Sequence, residues 1–220
     1  MNLITNKTLV KIFVSSLVVY LLSCFGAFDW LSAIVAKSLY NTFGYTNKWS
    51  RSYGSTWFVG TMNDISSLGS REIVLLFTLF LYFYLMLSRS SKSANNFLFT
   101  VGFGILLILI VKATTSKQDE LNLHSVLVES LSNFPSGHTF ISTVMYLSAA
   151  RYLSSKTKNL NANKYLFISA SIVIALIGIS RFLGNSHTVT EVIAGWSLGL
   201  CWYSFAQLYL SSHHLSTVKK

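Results

Sequence analysis

Charge spacing limits this chain more than any other feature. Ile12 to Phe28, Ile73 to Ser88, Ser93 to Val111, Leu131 to Ala150, Tyr165 to Ser180 and Val192 to Val218 contain no Asp, Glu, Lys or Arg. A helix rises 1.5 Å per residue, so a hydrocarbon core of roughly 30 Å takes about 20 residues. The shorter runs reach that length when flanking Lys and Arg side chains snorkel outward. Soluble domains carry about 25% charged residues, whereas 11% of these 220 are charged and 52% are apolar. A soluble enzyme, a disordered tail and a nucleic-acid-binding module are thereby excluded. The expected fold is all-α and integral to a membrane, with six transmembrane helices.

The basic residues give the orientation. With alternate loops on alternate sides, Lys7, Lys11, Arg89, Lys92, Arg151, Lys156, Lys158, Lys164, Lys219 and Lys220 share one face, which the positive-inside rule makes cytoplasmic. The net charge of +10 therefore needs no nucleic-acid partner, and both termini are expected inside. Lys37, Lys48, Arg51, Arg71, Lys112, Lys117 and Arg181 fall on the opposite face. Between the first two spans, Asp29 to Ser70 carries Trp30, Trp49 and Trp57 at no strand period, the pattern of interfacial helices. No internal repeat or low-complexity tract breaks the chain, so one domain over residues 1–220 is expected. Cys24 and Cys201 lie in apolar runs and imply neither a disulfide nor a metal site. Leu21-Leu22-Ser23-Cys24 also resembles a lipoprotein cleavage site, but removing the first span would break the charge alternation.

Chemistry concentrates on the outer face. The lone proline opens Pro135-Ser136-Gly137-His138 directly before an apolar helix. Such a segment is an anion cradle: Ser136 caps, Gly137 admits the ligand to the backbone, and the helix start presents unpaired N–H groups. Phosphate is the expected guest. Ser180-Arg181 ends the fifth span, and His187 and Glu191 follow at the start of the sixth. Four residues apart on a helix, they share a face, so the carboxylate can hold the Nδ1 proton and leave Nε2 as a nucleophile. Read singly, Arg181 is an interface anchor and Glu191 a helix-dipole partner.

Pro135-Ser136-Gly137-His138 and Ser180-Arg181-x5-His187-x3-Glu191 resemble the second and third signature motifs of the type-2 phosphatidic acid phosphatase superfamily, over roughly residues 112–195. The resemblance implies a metal-free, cofactor-free membrane phosphatase. In it His187 attacks phosphorus, His138 protonates the leaving oxygen, and Arg181, Ser136 and the Gly137 amide hold the phosphoryl oxygens. It also implies a bacterial inner-membrane location with the site facing the periplasm, and a lipid-linked phosphate or diphosphate as substrate. The motif surroundings look most similar to lipid A phosphatases, then undecaprenyl diphosphate phosphatases, then phosphatidylglycerophosphate phosphatases.

Two departures stand out. Glu191 replaces the family's usual aspartate. The first motif, normally a lysine followed after six residues by Arg-Pro, reads Lys112 with Asp119-Glu120 in that place; Lys112 stands where the family's lysine belongs, and the missing arginine's contact either falls to Lys117 or Arg181 or is absent. A lipid phosphotransferase using the same phosphohistidine and a non-catalytic scaffold with a decayed site are the alternatives. His124 falls in the polar loop before Pro135, and His213 and His214 on the cytoplasmic side. No Cys/His cluster stands at metal-ligand spacing. Oligomeric state is not encoded in any feature read here.

Overall fold

The structure is a computed structural model that describes residues 5–45, 53–115 and 134–217, with side chains as far as residue 212. Lys48, Trp49, Arg51, Lys117, Asp119, Glu120, His124, Asn133, Lys219 and Lys220 lie outside the described residues. Among the described residues eight helices follow one another: α1 (Asn6–Cys24), α2 (Asp29–Phe43), α3 (Thr56–Ser67), α4 (Arg71–Leu87), α5 (Ser91–Thr115), α6 (Gly137–Ser154), α7 (Leu160–Leu183) and α8 (Val189–Thr217). No strand occurs among the described residues; one isolated bridge joins Tyr45 to Tyr53.

Among the described residues four segments are long and apolar enough to cross a membrane: Asn6–Cys24, Thr56–Leu87, Ser91–Thr115 and Leu160–Leu183. α6 and α8 fall outside that set because they are the inside of the bundle. α6 packs against α5, α7 and α8, and α8 also carries α1 along its length. Their polar residues are small and buried: Thr139, Ser142, Thr143 and Ser148 on α6, Ser197 and Ser204 on α8. Four of these hydroxyls, on Thr139, Ser142, Thr143 and Ser197, turn back onto their own helix, whereas those of Ser148 and Ser204 have no partner. Thr139 donates to the Ser136 carbonyl (2.9 Å), Thr143 to Thr139 (2.6 Å) and Ser197 to Ile193 (2.7 Å).

Small residues also set how closely the two central helices approach. A Cβ on Gly195 would fall 1.9 Å from Thr139 Oγ1 and 2.6 Å from the Ser136 carbonyl, and one on Gly199 would fall 2.8 Å from Thr143 Cβ. Gly195 meets Thr139 and Gly199 meets Thr143, so α6 and α8 run parallel, as close small-residue packing allows in membrane bundles. Their N-termini therefore emerge side by side. Indole N–H groups pin the flanking helices: Trp196 donates to Ile174 O (3.2 Å) and Trp202 to Thr100 O (2.8 Å). Phe97, Val101, Phe140, Val144 and Met145 form the main apolar core between α5 and α6.

Lipid-type surface covers the outside. Leu75, Leu79, Phe80 and Phe83 on α4 are exposed, as are Phe103, Leu106 and Ile110 on α5 and Ile168 and Ile172 on α7. A contiguous apolar exterior of that extent is tolerated in a bilayer and not in water. The chain is a multi-pass helical membrane protein.

Candidate active site

The parallel run of α6 and α8 determines where the sequence motifs meet. Ser136 stands at the N-cap of α6, and its amide donates to the Glu191 carbonyl (3.0 Å), tying the two motif-bearing helix starts together. Sequence reasoning expected the Ser136 side chain to cap, but it makes no capping bond. Its hydroxyl is fully buried without a partner. Thr139 takes up the Ser136 carbonyl instead, and the Ser136 hydroxyl is left available to a guest.

Arg181, two residues before the end of α7, organises the second motif through both its backbone and its side chain. Its carbonyl accepts from the amides of Ser186 (3.0 Å) and His187 (3.1 Å). That tight turn, with Asn185 at a left-handed φ of 53°, swings His187 back over the end of α7. The guanidinium Nη1 donates to Ser66 Oγ at 2.8 Å, while Nε is buried with no partner. Buried donors are normally satisfied, and leaving one unmade costs about 1–3 kcal/mol. Ser136 Oγ and Arg181 Nε are two such groups, both on the motif residues.

Lys112 completes the cationic rim. A Cβ added to Gly137 would touch Lys112 Cε at 3.3 Å and Nζ at 3.7 Å, so the ammonium lies across the first residue of α6. A helix N-terminus carries roughly half a positive charge. Arg181, Arg71 and Glu191 are the charged groups that act on Lys112, and Arg181, His187, Lys112 and Glu72 those that act on His138. The structure thus gathers His138, His187, Arg181, Lys112, Ser136, Gly137 and Glu191 at one end of the bundle. Lys117 lies outside the described residues.

His187 and Glu191 have the arrangement expected from their spacing. Nδ1 of His187 lies 2.9 Å from Glu191 Oε2. A carboxylate only accepts, so Nδ1 carries the proton and Nε2 the lone pair. Burial lowers the pKa of His187 below its ordinary 6.5, outweighing its hydrogen bond to Glu191, which raises it. The nucleophile-competent neutral form is therefore favoured.

Sequence analysis missed several supports. Glu191 Oε2 also accepts from the Thr188 amide (3.0 Å), and Thr188 Oγ1 accepts from the Glu191 amide (3.2 Å). This is a reciprocal capping box, legible as Thr188-x-x-Glu191. Ser66, which holds Arg181, and Gly69, whose absent Cβ would meet the His138 carbonyl at 3.2 Å, come from the segment read only as interfacial. Nothing in their local sequence signals a role.

The bundle and the polar residues gathered at one end of it are the features to compare with known proteins. Residues 112–215 match the family model of the PAP2 superfamily. A PA-phosphatase related-family protein of Dictyostelium discoideum is 33% identical over 103 residues, 42% of this chain and 31% of that protein. Phosphatidylglycerophosphatase B of Bacillus subtilis (strain 168) is 38% identical over 73 residues, 33% of this chain and 36% of that protein. The chain thus spans about a third of the length of these relatives. A crystal structure titled as the first transmembrane PAP2 type phosphatidylglycerolphosphate phosphatase from Bacillus subtilis superposes over 93% of this chain and 96% of that one. Its TM-score is 0.71 at 23% identity, so the two share a fold.

Proposed function

We propose that this protein is a membrane lipid phosphatase that removes phosphate from a lipid-linked phosphate or diphosphate through a phosphohistidine on His187. One observation carries the reading: two buried, unpartnered donors, Ser136 Oγ and Arg181 Nε, stand beside an imidazole whose Nδ1 is committed to Glu191. In the first step the Nε2 lone pair of His187 bonds to phosphorus as the P–O bond to the lipid breaks. His138 gives its proton to the departing oxygen. Arg181, Ser136, Lys112 and the first amides of α6 neutralise the equatorial oxygens, where charge accumulates in phosphoryl transfer. In the second step water attacks the phosphohistidine, His138 takes the water proton, and inorganic phosphate leaves with His187 restored.

The remaining elements of the reading concern topology and substrate. α1, α4, α5, α6, α7 and α8 make six spans, with α2 and α3 at the outer surface and both termini cytoplasmic, so the site faces the periplasm of a bacterial inner membrane. A cradle at helix ends receives a headgroup while the chains stay in lipid. Lipid A and undecaprenyl diphosphate are the headgroups the motif surroundings favour. The Bacillus relative named as a phosphatidylglycerophosphatase adds phosphatidylglycerophosphate. The mechanism uses no metal or cofactor.

The test is phosphate release by purified protein from those three lipids and phosphatidic acid, with and without a chelator. We expect release from at least one, insensitive to chelation and lost in His187→Ala and His138→Ala. Activity that survives His187→Ala would sink the phosphohistidine. Transfer of the phosphoryl group to a second lipid with no free phosphate would make the protein a phosphotransferase.

A further inference from the structure

A polar knot joins α2 to the start of α8, one residue from Glu191. Thr190 is 5% exposed. Its hydroxyl donates to Asp29 Oδ1 at 2.8 Å, its amide donates to Ser32 Oγ at 3.0 Å, and the two hydroxyls of Ser32 and Thr190 are 2.8 Å apart. The Asp29 carboxylate only accepts, so it takes the Thr190 hydroxyl proton, and the Ser32 hydroxyl, which accepts from the Thr190 amide, gives its one proton to Thr190 Oγ1 at 2.8 Å in preference to the Phe28 carbonyl at 3.4 Å. Ser32 thereby caps α8 from another helix, satisfying one of the orphan N–H groups at its first turn.

The turn before α2 is shaped for this contact. Gly26 sits at φ +72°, and a Cβ there would fall 2.6 Å from Asp29 Oδ2. Glycine lets the carboxylate fold back under the turn. α2 otherwise exposes Trp30, Ile34 and Tyr40 and buries no residue fully. Asp29 and Ser32 thus give an otherwise surface-lying helix a specific polar grip on the helix start that bears Glu191.

We infer that Asp29, Ser32 and Thr190 are positioning residues: they fix the first turn of α8 so that Glu191 presents its carboxylate to Nδ1 of His187. The inference rests on the role given above to His187 and Glu191. The α8 start has two locks, the internal Thr188/Glu191 box and the external knot. Both converge on Glu191, since its carboxylate serves the box and His187 together. With the knot loosened, the carboxylate exchanges His187 for the backbone or for solvent. Displacements of about 1 Å at such a group can cost of the order of 100-fold in rate.

The experiment uses the full chain in mixed micelles with phosphatidylglycerophosphate, phosphatidic acid, lipid A and undecaprenyl diphosphate as probes, beside a 15N-histidine NMR titration of His187 in the protein without substrate. Thr190→Val keeps shape and removes the hydroxyl, Thr190→Ser restores it, and Asp29→Ala removes the acceptor. We expect Thr190→Val and Asp29→Ala to lower kcat by about tenfold or more with KM within about twofold, and Thr190→Ser to recover most of the rate. In a Glu191→Gln background Thr190→Val should cost nothing further, because both act through one carboxylate. The His187 titration should move to lower pH in Thr190→Val, as the raising influence of Glu191 weakens. An unchanged titration, or losses that multiply in the Glu191→Gln background, would overturn the inference. If His187→Ala is active or no probe releases phosphate, the reading under Proposed function fails, whereas the NMR titration still decides whether the knot governs the His187–Glu191 pair.

Discussion

Glu191 holds His187 and its own helix start with the same oxygen: Oε2 lies 2.9 Å from the imidazole Nδ1 and 3.0 Å from the Thr188 amide. The longer side chain at a position where the family usually has aspartate is explained by this double duty. From the fourth residue of the capping box, glutamate reaches back over a full turn, and the reach that closes the box also meets His187. Glu191→Asp should retract the oxygen from one partner or the other, lowering kcat about tenfold. Glu191→Gln should cost roughly 10²–10⁴-fold, because an amide can offer a donor to Nδ1 and favour the wrong tautomer. Steady-state rates of the two variants, with thermal unfolding to register the loss of about 1 kcal/mol of capping, decide this. Equal rates for native, Asp and Gln would refute it.

The pH dependence follows from the same pair. His187 is buried and its pKa is lowered from 6.5, so the neutral imidazole persists below that pH. As pH falls through the lowered value, Nε2 takes a proton and kcat/KM should fall tenfold per unit. The acid limb assigned to His187 should therefore lie below pH 6.5 in the native protein. Glu191 raises this pKa, so Glu191→Gln should shift the limb further down even as the plateau rate drops. The unfolded chain binds the proton more readily than the native state does, so this group also makes stability decline as pH falls through 6.5. A limb above pH 6.5 that responds to Glu191→Gln would contradict the assignment.

Ser136 predicts a trade between stability and turnover. Its hydroxyl is buried and unpartnered, a state that costs about 1–3 kcal/mol without ligand. Ser136→Ala should leave the thermal midpoint of the ligand-free protein unchanged or higher. Turnover should fall by about 10–100-fold, since one contact to the transferring phosphoryl is lost. Orthovanadate should raise the midpoint of the native protein more than that of the variant. A variant that is both less stable and fully active would remove Ser136 from the cradle.

Much of this arrangement was legible in the sequence, because the two motifs open helices that pack side by side and their helical spacing fixes His187 beside Glu191. The uncharged runs gave the helices of the bundle, including α6 and α8. Those two are nonetheless atypical as spans, since their buried faces carry hydroxyls and glycines where lipid-facing helices carry Leu and Phe. What sequence could not show is tertiary. Ser66 reaches Arg181 across 115 positions, and Asp29 reaches Thr190 across 161. No local pattern announces such partners. The capping role assigned to Ser136 failed for a related reason: an N-cap serine bonds its own helix only when nothing else claims the hydroxyl, and here the position faces the cradle. The Thr188-x-x-Glu191 box was readable, but the catalytic reading of Glu191 hid its structural one.

Gly195 tests whether helix approach is what assembles the site. A methyl group there would fall 1.9 Å from Thr139 Oγ1 and 2.6 Å from the Ser136 carbonyl. The hydroxyl can rotate away, but the carbonyl is backbone and belongs to the residue that opens α6. Gly195→Ala must therefore part the two helix starts, drawing His138 and Ser136 away from His187. Overpacking of this kind costs about 1–3 kcal/mol, and the displaced cradle should lower kcat by about 100-fold or more. Gly60 on α3 provides the control, because a Cβ there meets nothing within 4 Å. Gly60→Ala should raise helix stability by roughly 0.5–1 kcal/mol and leave turnover unchanged. Thermal unfolding and initial rates of the two variants side by side check both halves. If Gly195→Ala retains native turnover, close packing of α6 on α8 is not what brings the two histidines together.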